Sequence, residues 1–340
     1  MTFGNTILLT GAGFTANFGG FLAREMWSKI FNNPLLNGAG NLKFALRNNL
    51  DFEKVYSDVL DNRIPNLHPQ ERDAFVKALN EAYVEMDNAL KDPPWEAYAI
   101  HQPDLRKFLE FFTNNNGKET SICFTLNQDL FMERHFGWQP TGPPTMRYKG
   151  NFGNIDRQNL DSTEAKILPN EKTLEEYIAT IGDSFLYVKL HGSQKWVAHD
   201  NRDTKILGIN KREAIERIPL LKWYFALFEQ ALLREGVKLV VIGYSFNDEH
   251  INACIVKAIN EYHLRLYVIS TENPIDFSFR MRFKYPRGTA INDQDDTKLP
   301  IWNALEGYFP YELKKIFPYP QRRPAEKTEM FNALGIPLTI

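Results

Sequence analysis

Five short runs of β-branched and aromatic residues constrain the fold of this chain more than any other feature. They lie at 6–10 (TILLT), 121–125 (SICFT), 185–190 (FLYVKL), 237–242 (VKLVVI) and 264–269 (LRLYVI). Most are apolar at consecutive positions rather than at alternate ones. That is the pattern of strands buried on both faces, as in a parallel sheet covered by helices. Stretches with helical spacing lie between them, at 18–31, 71–90, 102–113, 218–235 and 248–262. Pro219 near the start of one stretch and Gly236 just past its end show the expected asymmetry of helix termini. The alternation predicts an α/β fold: a Rossmann-like parallel sheet flanked by helices.

The runs are unevenly spaced. Residues 32–110 read as mainly helical, which predicts a helical insertion after the first strand. Residues 138–180 are rich in Gly, Pro, Asn and Asp and read as a loop insertion over the sheet. The expected organisation is one domain over 1–272, carrying the site, and a C-terminal extension over 273–340 that packs on it or serves assembly. No internal repeat is present.

With 340 residues and a formal net charge of -2, the chain has room for one large domain or two smaller ones. Its global charge does not point to nucleic acid or membrane as the main partner, and leaves room for a local basic patch. No apolar stretch approaches the roughly 20 residues that span a bilayer. The first residues, MTFGNTILLTGAG, lack a basic n-region and a cleavage site. A soluble, cytoplasmic protein is expected. The two cysteines, Cys123 and Cys254, sit in apolar segments and read as core residues. Without a CxxC pair there is no cysteine zinc site, and two distant thiols suit a reducing compartment.

Each apolar run ends in small or polar residues: TGAGFT, then TLNQD at 125–129, LHGS at 190–193, GYSFND at 243–248 and STEN at 270–273. Ligands of open parallel sheets bind outside the carboxyl ends of the strands. Gly11-Ala12-Gly13 reads as a turn that brings backbone N–H groups close to a pyrophosphate, or as a tight strand-to-helix turn with no ligand. A dehydrogenase fingerprint also needs an acid about 20 residues on, at the end of a second strand. The stretch 31–40, FNNPLLNGAG, has neither acid nor strand, which argues against hydride transfer. His191 directly follows a strand and is placed to act as a base. Asn127 and Asp129 suit an amide ligand or water, and equally an Asx turn before a helix. Asp248 reads as a ligand group or as a helix cap. The acidic run at 292–296, NDQDD, reads as a solvated loop rather than a metal cluster. The remaining histidines, His68, His101, His199 and His263 among them, read as surface or packing residues.

Taken in order, these motifs resemble the sirtuin (silent information regulator) family. GAGFT resembles its Gly-Ala-Gly-x-Ser turn, with Thr15 for Ser. TLNQD resembles its Thr-Gln-Asn-x-Asp motif, with Leu126 for Gln. LHGS matches the Leu-His-Gly-Ser around its catalytic histidine, and GYS resembles its cofactor-contacting Gly-Thr-Ser. The resemblance spans roughly 6–270, with large unmatched insertions. It implies that NAD is bound as a substrate. Gly11, Ala12, Gly13 and Thr15 would line its phosphates. Asn127 and Asp129 would face nicotinamide and its ribose. His191 would be the base, and Gly243 and Ser245 would meet the adenosine half. Phe14, Gly192, Tyr244 and Asp248 complete the expected binding set. The family's Arg after the first motif has only Arg24 as a counterpart, at shifted spacing.

One departure redirects the reading. Protein-deacylating sirtuins carry two cysteine pairs after the catalytic histidine, and this chain carries none there. No zinc is therefore expected. The chain resembles instead the bacterial branch of sirtuin-like domains that hydrolyse NAD in antiphage defence. That resemblance implies an NAD glycohydrolase (NADase) releasing nicotinamide and ADP-ribose. It implies a gate as well, through a homo-oligomer or a partner such as a HerA-type DNA-translocating ATPase. The alternatives are a protein deacylase, a non-catalytic NAD or ADP-ribose sensor, and a nuclease subunit of a defence complex. Direct nucleic-acid binding is left open.

Overall fold

A computed structural model describes residues 2–113, 119–146, 166–182, 185–198, 204–284 and 293–338. Its centre is a six-stranded sheet in which every neighbouring pair is parallel. The main strands are β1 (Thr6–Thr10), β2 (Ser121–Thr125), β4 (Phe185–Lys189), β6 (Lys238–Ile242), β7 (Arg265–Ile269) and β8 (Leu305–Phe309). β3 (Lys166–Ile167) and β5 (Trp196–Val197) form a separate two-stranded ribbon. The main sheet runs β4-β2-β1-β6-β7-β8. Counting only its own strands, that is the doubly wound order 3-2-1-4-5-6, with its switch point between β1 and β6.

The strands are continuously apolar because both faces are covered. Successive side chains point to opposite faces. Leu8, Cys123, Tyr187 and Val240 therefore join one core, and Ile7, Leu9, Phe124, Val188 and Val241 join the other. Both cysteines are buried and free.

Between β1 and β2 the described chain is helical: α1 (Ala12–Ala16), α2 (Ala23–Phe31), α3 (Gly40–Asn48), α4 (Phe52–Leu60), α5 (Pro69–Lys91) and α6 (Gln102–Glu110). This is the expected helical insertion. The long α5 starts where its sequence dictates. His68 caps it, Pro69 occupies its first position, and the Glu71 carboxylate returns to the His68 N–H. Arg134, in α7 (Phe131–Phe136), grips Asp87 of α5 through two hydrogen bonds of 2.7 and 2.6 Å. That fork ties the insertion to the segment that follows β2. Below it, Lys189 and Glu133 form a 2.8 Å ion pair with no exposure on either side chain.

The sixth strand departs from the sequence reading. LEGYF carries Glu306 and Gly307 and is only partly buried, so it lacks the apolar run that marks the inner strands. It forms because the edge beside β7 is open. Gly307 makes room for the Tyr267 ring, and the Tyr267 hydroxyl donates to Glu306 at 2.7 Å. Of the 138–180 stretch, residues 147–165 fall outside the described residues, as does part of the 292–296 acidic run. In the rest of that run, Asp295 accepts from the Thr297 N–H at 3.1 Å, which is turn chemistry.

The chain's last helix, Ala325–Leu334, returns to α6. Phe108 packs against Phe317 and Phe331, and the Lys327 ammonium meets the Asp104 carboxylate at 3.0 Å, both side chains being 6% exposed. Burial would raise the Asp104 carboxyl, but Lys327 and His101 hold it below the usual carboxylate range. A depressed carboxyl stabilises the fold above its unfolded pKa, about 3.9, and that contribution is lost as the pH falls through the folded value. The expected result is a steeper acid loss of stability in the parent than in Asp104→Asn. Denaturant midpoints measured between pH 6 and pH 3 check it, and parallel curves would count against the pair.

Candidate functional site

The switch point opens into a cavity of about 1200 Å³ at the carboxyl ends of the strands. This exceeds the 300–1,000 Å³ common for small-ligand sites and leaves room for an extended dinucleotide. Its walls come from the turns after β1, β2, β4, β6 and β7, from α2 and α4 of the insertion, and from the segment 206–213.

The first wall is two interlocked turns. The Gly11 N–H donates to the Ile242 carbonyl at 2.9 Å, and the Gly13 N–H donates to the Gly243 carbonyl at 2.8 Å. Gly243 has φ +65. A Cβ on Gly11 or Gly13 would lie 2.7–2.8 Å from backbone atoms of Gly243 or Tyr244. The glycines thus let β1 and β6 close on each other at the floor of the cavity. Two of the N–H groups expected to face phosphates are engaged in that contact. Gly11, Ala12, Gly13 and Thr15 still line the cavity.

The second wall is TLNQD. The Asn127 amide donates to the Gly11 carbonyl at 3.1 Å and to Thr15 Oγ1 at 3.3 Å. Its own N–H donates to Thr125 Oγ1 at 3.0 Å, and the Thr10 hydroxyl donates to the Thr125 hydroxyl at 2.9 Å. The asparagine is therefore anchored to the glycine turn rather than swinging freely. Asp129 is buried and accepts from the Phe131 N–H at 3.0 Å, the Asx-turn role. Burial raises its carboxyl despite nearby Lys189.

The third wall is LHGS, which the Gln194 N–H fastens to the Gln128 carbonyl at 3.0 Å. His191 and Asn127 consequently sit on bonded, adjacent loops. His191 is 4% exposed, and its Nε2 lies 3.1 Å from Nε2 of His250. Burial pushes the His191 imidazole down to about 3, against an upward pull from Asp248. Burial likewise lowers His250 to about 4. Both rings are neutral at neutral pH, so each carries one N–H, and the contact between them pairs one ring's Nε2–H with the other's Nε2 lone pair.

The fourth wall is GYSFND and the start of the helix Glu249–Tyr262. The Asp248 side chain makes no capping bond there and instead accepts from the Lys211 ammonium at 2.6 Å. Lys211 also meets Glu53 of α4 at 2.8 Å. Burial would raise Asp248, but His191 and Lys211 hold it below the carboxylate range. Burial would lower Lys211, and its two carboxylate partners more than reverse that. Tyr244 accepts from the Asp248 N–H at 3.1 Å and donates to Asn252 Oδ1 at 3.0 Å.

The structure brings most of the expected residues together. Gly11, Ala12, Gly13, Thr15, Asn127, Asp129, His191, Gly243, Tyr244, Ser245 and Asp248 all line the cavity, and so does Arg24. Two are elsewhere. The Phe14 ring is fully buried between Phe18 and Phe131. Gly192, at φ +77, is packed against the Thr204 carbonyl, where a Cβ would come within 2.2 Å. Glu53, Lys211 and His250 are among the cavity groups that the sequence reading did not single out. Only His250 had a signal, lying two residues beyond Asp248 at the end of GYSFND. Among the described residues, His191, Asp248 and His250 are the one group with metal-ligating donors close together.

The fold and site define a Rossmann-like α/β protein with a large cleft at its strand ends, lined by both apolar and polar side chains. A family model for the SIR2-like domain matches residues 121–286, from β2 to just beyond the helix Pro274–Arg282. The match supports a sirtuin-like domain over that stretch and is consistent with NAD-related activity. SIR2-like domains bind NAD as a substrate. The GAGFT turn lies outside the matched residues and joins the site through its contacts with Gly243 and Asn127. No curated protein matches the chain. No described helix is long and apolar enough to cross a membrane.

Proposed function

We propose that the chain is an NAD glycohydrolase, cleaving the bond between nicotinamide and its ribose. The observation that carries this reading is the placement of Asn127 and His191 on bonded loops facing one large cavity at the switch point. The Asn127 amide orients nicotinamide or the attacking water. His191 takes the proton from that water or from a ribose hydroxyl as the bond breaks, with Asp248 drawing the imidazole upward against its burial. The glycosidic bond breaks with its electron pair passing to the nicotinamide nitrogen, whose positive charge makes it a good leaving group. The water oxygen bonds to the ribose carbon, and its proton leaves through His191. The products are nicotinamide and ADP-ribose. An oxocarbenium-like state of this kind gains from a dry, preorganised site.

Depletion of NAD suits a role in antiphage defence in the cytoplasm. Such an activity needs a gate. Assembly into a homo-oligomer, or docking of a HerA-type ATPase, would supply it. The Glu53–Lys211–Asp248 bridge joins the helical insertion to the site, so a shift of α4 would be felt there.

Chromatography of NAD incubated with the purified chain tests the reading. Equal amounts of nicotinamide and ADP-ribose are expected, with no need for an acylated peptide. Nicotinamide release that requires acetylated peptide would establish the deacylase instead. Binding of NAD or ADP-ribose without products, by the chain alone and in its assembled form alike, would establish a sensor.

A further inference from the structure

His191 and His250 present the same ring atom to each other. Their Nε2 atoms are 3.1 Å apart, with ring centroids at 5.2 Å and planes inclined by 37°. At that distance one nitrogen accepts, so a lone pair already points between the rings. A carboxylate oxygen of Asp248 completes a triangle whose ligand atoms all lie within 4.8 Å of one another. The three side chains come from the loop after β4, the loop after β6 and the first turn of the following helix. Two histidines and a carboxylate on separate elements, turned inward on one point, are a donor set for a metal ion.

The spacing agrees. Zinc binds imidazole nitrogen at about 2.0–2.1 Å, so two nitrogens of a tetrahedral shell lie about 3.3 Å apart. The histidine pair needs to open by only about 0.2 Å. The carboxylate must close by rotation, and Lys211 holds one of its oxygens while doing so. Nearby charge is balanced: the Glu53 and Asp248 carboxylates face the Lys211 ammonium and the Arg212 guanidinium, so an entering cation meets no net positive charge. Arg212 stands beside His250, over the Phe225 ring that also packs on that histidine. The ligand type selects against hard cations, because magnesium and calcium prefer all-oxygen shells.

We propose that His191, His250 and Asp248 form a three-ligand site for a divalent transition metal of the zinc class, with a fourth position open to the cavity. The metal takes the place of the proton between the two Nε2 atoms, and that proton moves to Nδ1 of its own ring, so that both Nε2 lone pairs face the metal. It therefore occupies the Nε2 lone pair that the hydrolase uses as base, and metal and turnover exclude each other. That last consequence rests on the function proposed above; the binding itself does not.

The test uses the full chain freed of metal by a chelator. Titration with cobalt(II) chloride should give one equivalent bound and the visible bands of low-coordinate cobalt. Zinc chloride should displace it with the same stoichiometry in calorimetry. His250→Gln and Asp248→Asn should each weaken zinc binding by more than about 100-fold, beyond what loss of an outer-shell group commonly costs. His263→Ala, on the exposed end of the same helix, should leave binding unchanged. Circular dichroism confirms that each variant is folded. Cobalt bands equal to the parent's in His250→Gln, or no stoichiometric binding in the parent, would overturn the site. Zinc that binds through His250 and leaves nicotinamide release untouched would uphold the site and refute His191 as the base.

Discussion

If the proposed hydrolase reading holds, His191→Ala and Asn127→Ala should each lower nicotinamide release by about 10²–10⁴-fold, the range of a lost general base or of a misplaced reacting group. The two losses have different origins. On the proposed reading His191 is the base, so its removal should lower kcat with little change in KM. Asn127 is tied to the Gly11 carbonyl and the Thr15 hydroxyl, so its removal also loosens the seam between the β1 and β2 turns. A rise in KM alongside the fall in kcat is expected there. Single-turnover assays separate the two effects, with thermal unfolding to confirm that both variants are folded. Turnover at the parent rate in both would remove these residues from the chemistry.

How far the sequence foretold this site follows from where its parts lie. Ile7, Leu9, Val241 and Val268 belong to strands covered on both faces, and such strands announce themselves as unbroken apolar runs. Asn127, His191 and Gly243 were legible because each follows one of those runs directly. β8 was not, because an edge strand holding Glu306 and Gly307 buries too little to leave that signature. Glu53 and Lys211 were hidden for another reason, and His250, two residues past Asp248, was only hinted at. They lie on helices that reach the cavity only once the sheet order is known, and a lysine or glutamate on a helix face reads as solvated. Phe14 shows the other side of this. It sits inside a motif, yet its ring serves the core against Phe18 and Phe131. A motif marks a backbone path, and the side chains along that path divide between ligand and core.

The glycines of that path carry the second large effect. Gly243→Ala should destabilise the fold by more than about 4 kcal/mol, which marks an exceptional single substitution. Left-handed backbone costs an alanine about 1–2 kcal/mol. The larger part is steric: the new Cβ would lie 2.2 Å from the Phe14 nitrogen and 2.3 Å from the Gly13 carbonyl carbon. These are backbone atoms of the facing turn, so no side-chain rotation relieves the clash. Relief requires β1 and β6 to part at their carboxyl ends, which breaks the bond from Gly13 to the Gly243 carbonyl and unseats Asn127 from Gly11. Activity should therefore fall together with stability. Gly40→Ala is the control. No atom lies within 4 Å of its added Cβ and it begins α3, so its effect should stay within about 1 kcal/mol. Urea midpoints and nicotinamide release measured on both variants decide the matter. A Gly243→Ala protein as stable as the parent would mean that the two turns are not interlocked as described. A stable variant that has lost only turnover would move the role of Gly243 from the fold to the ligand.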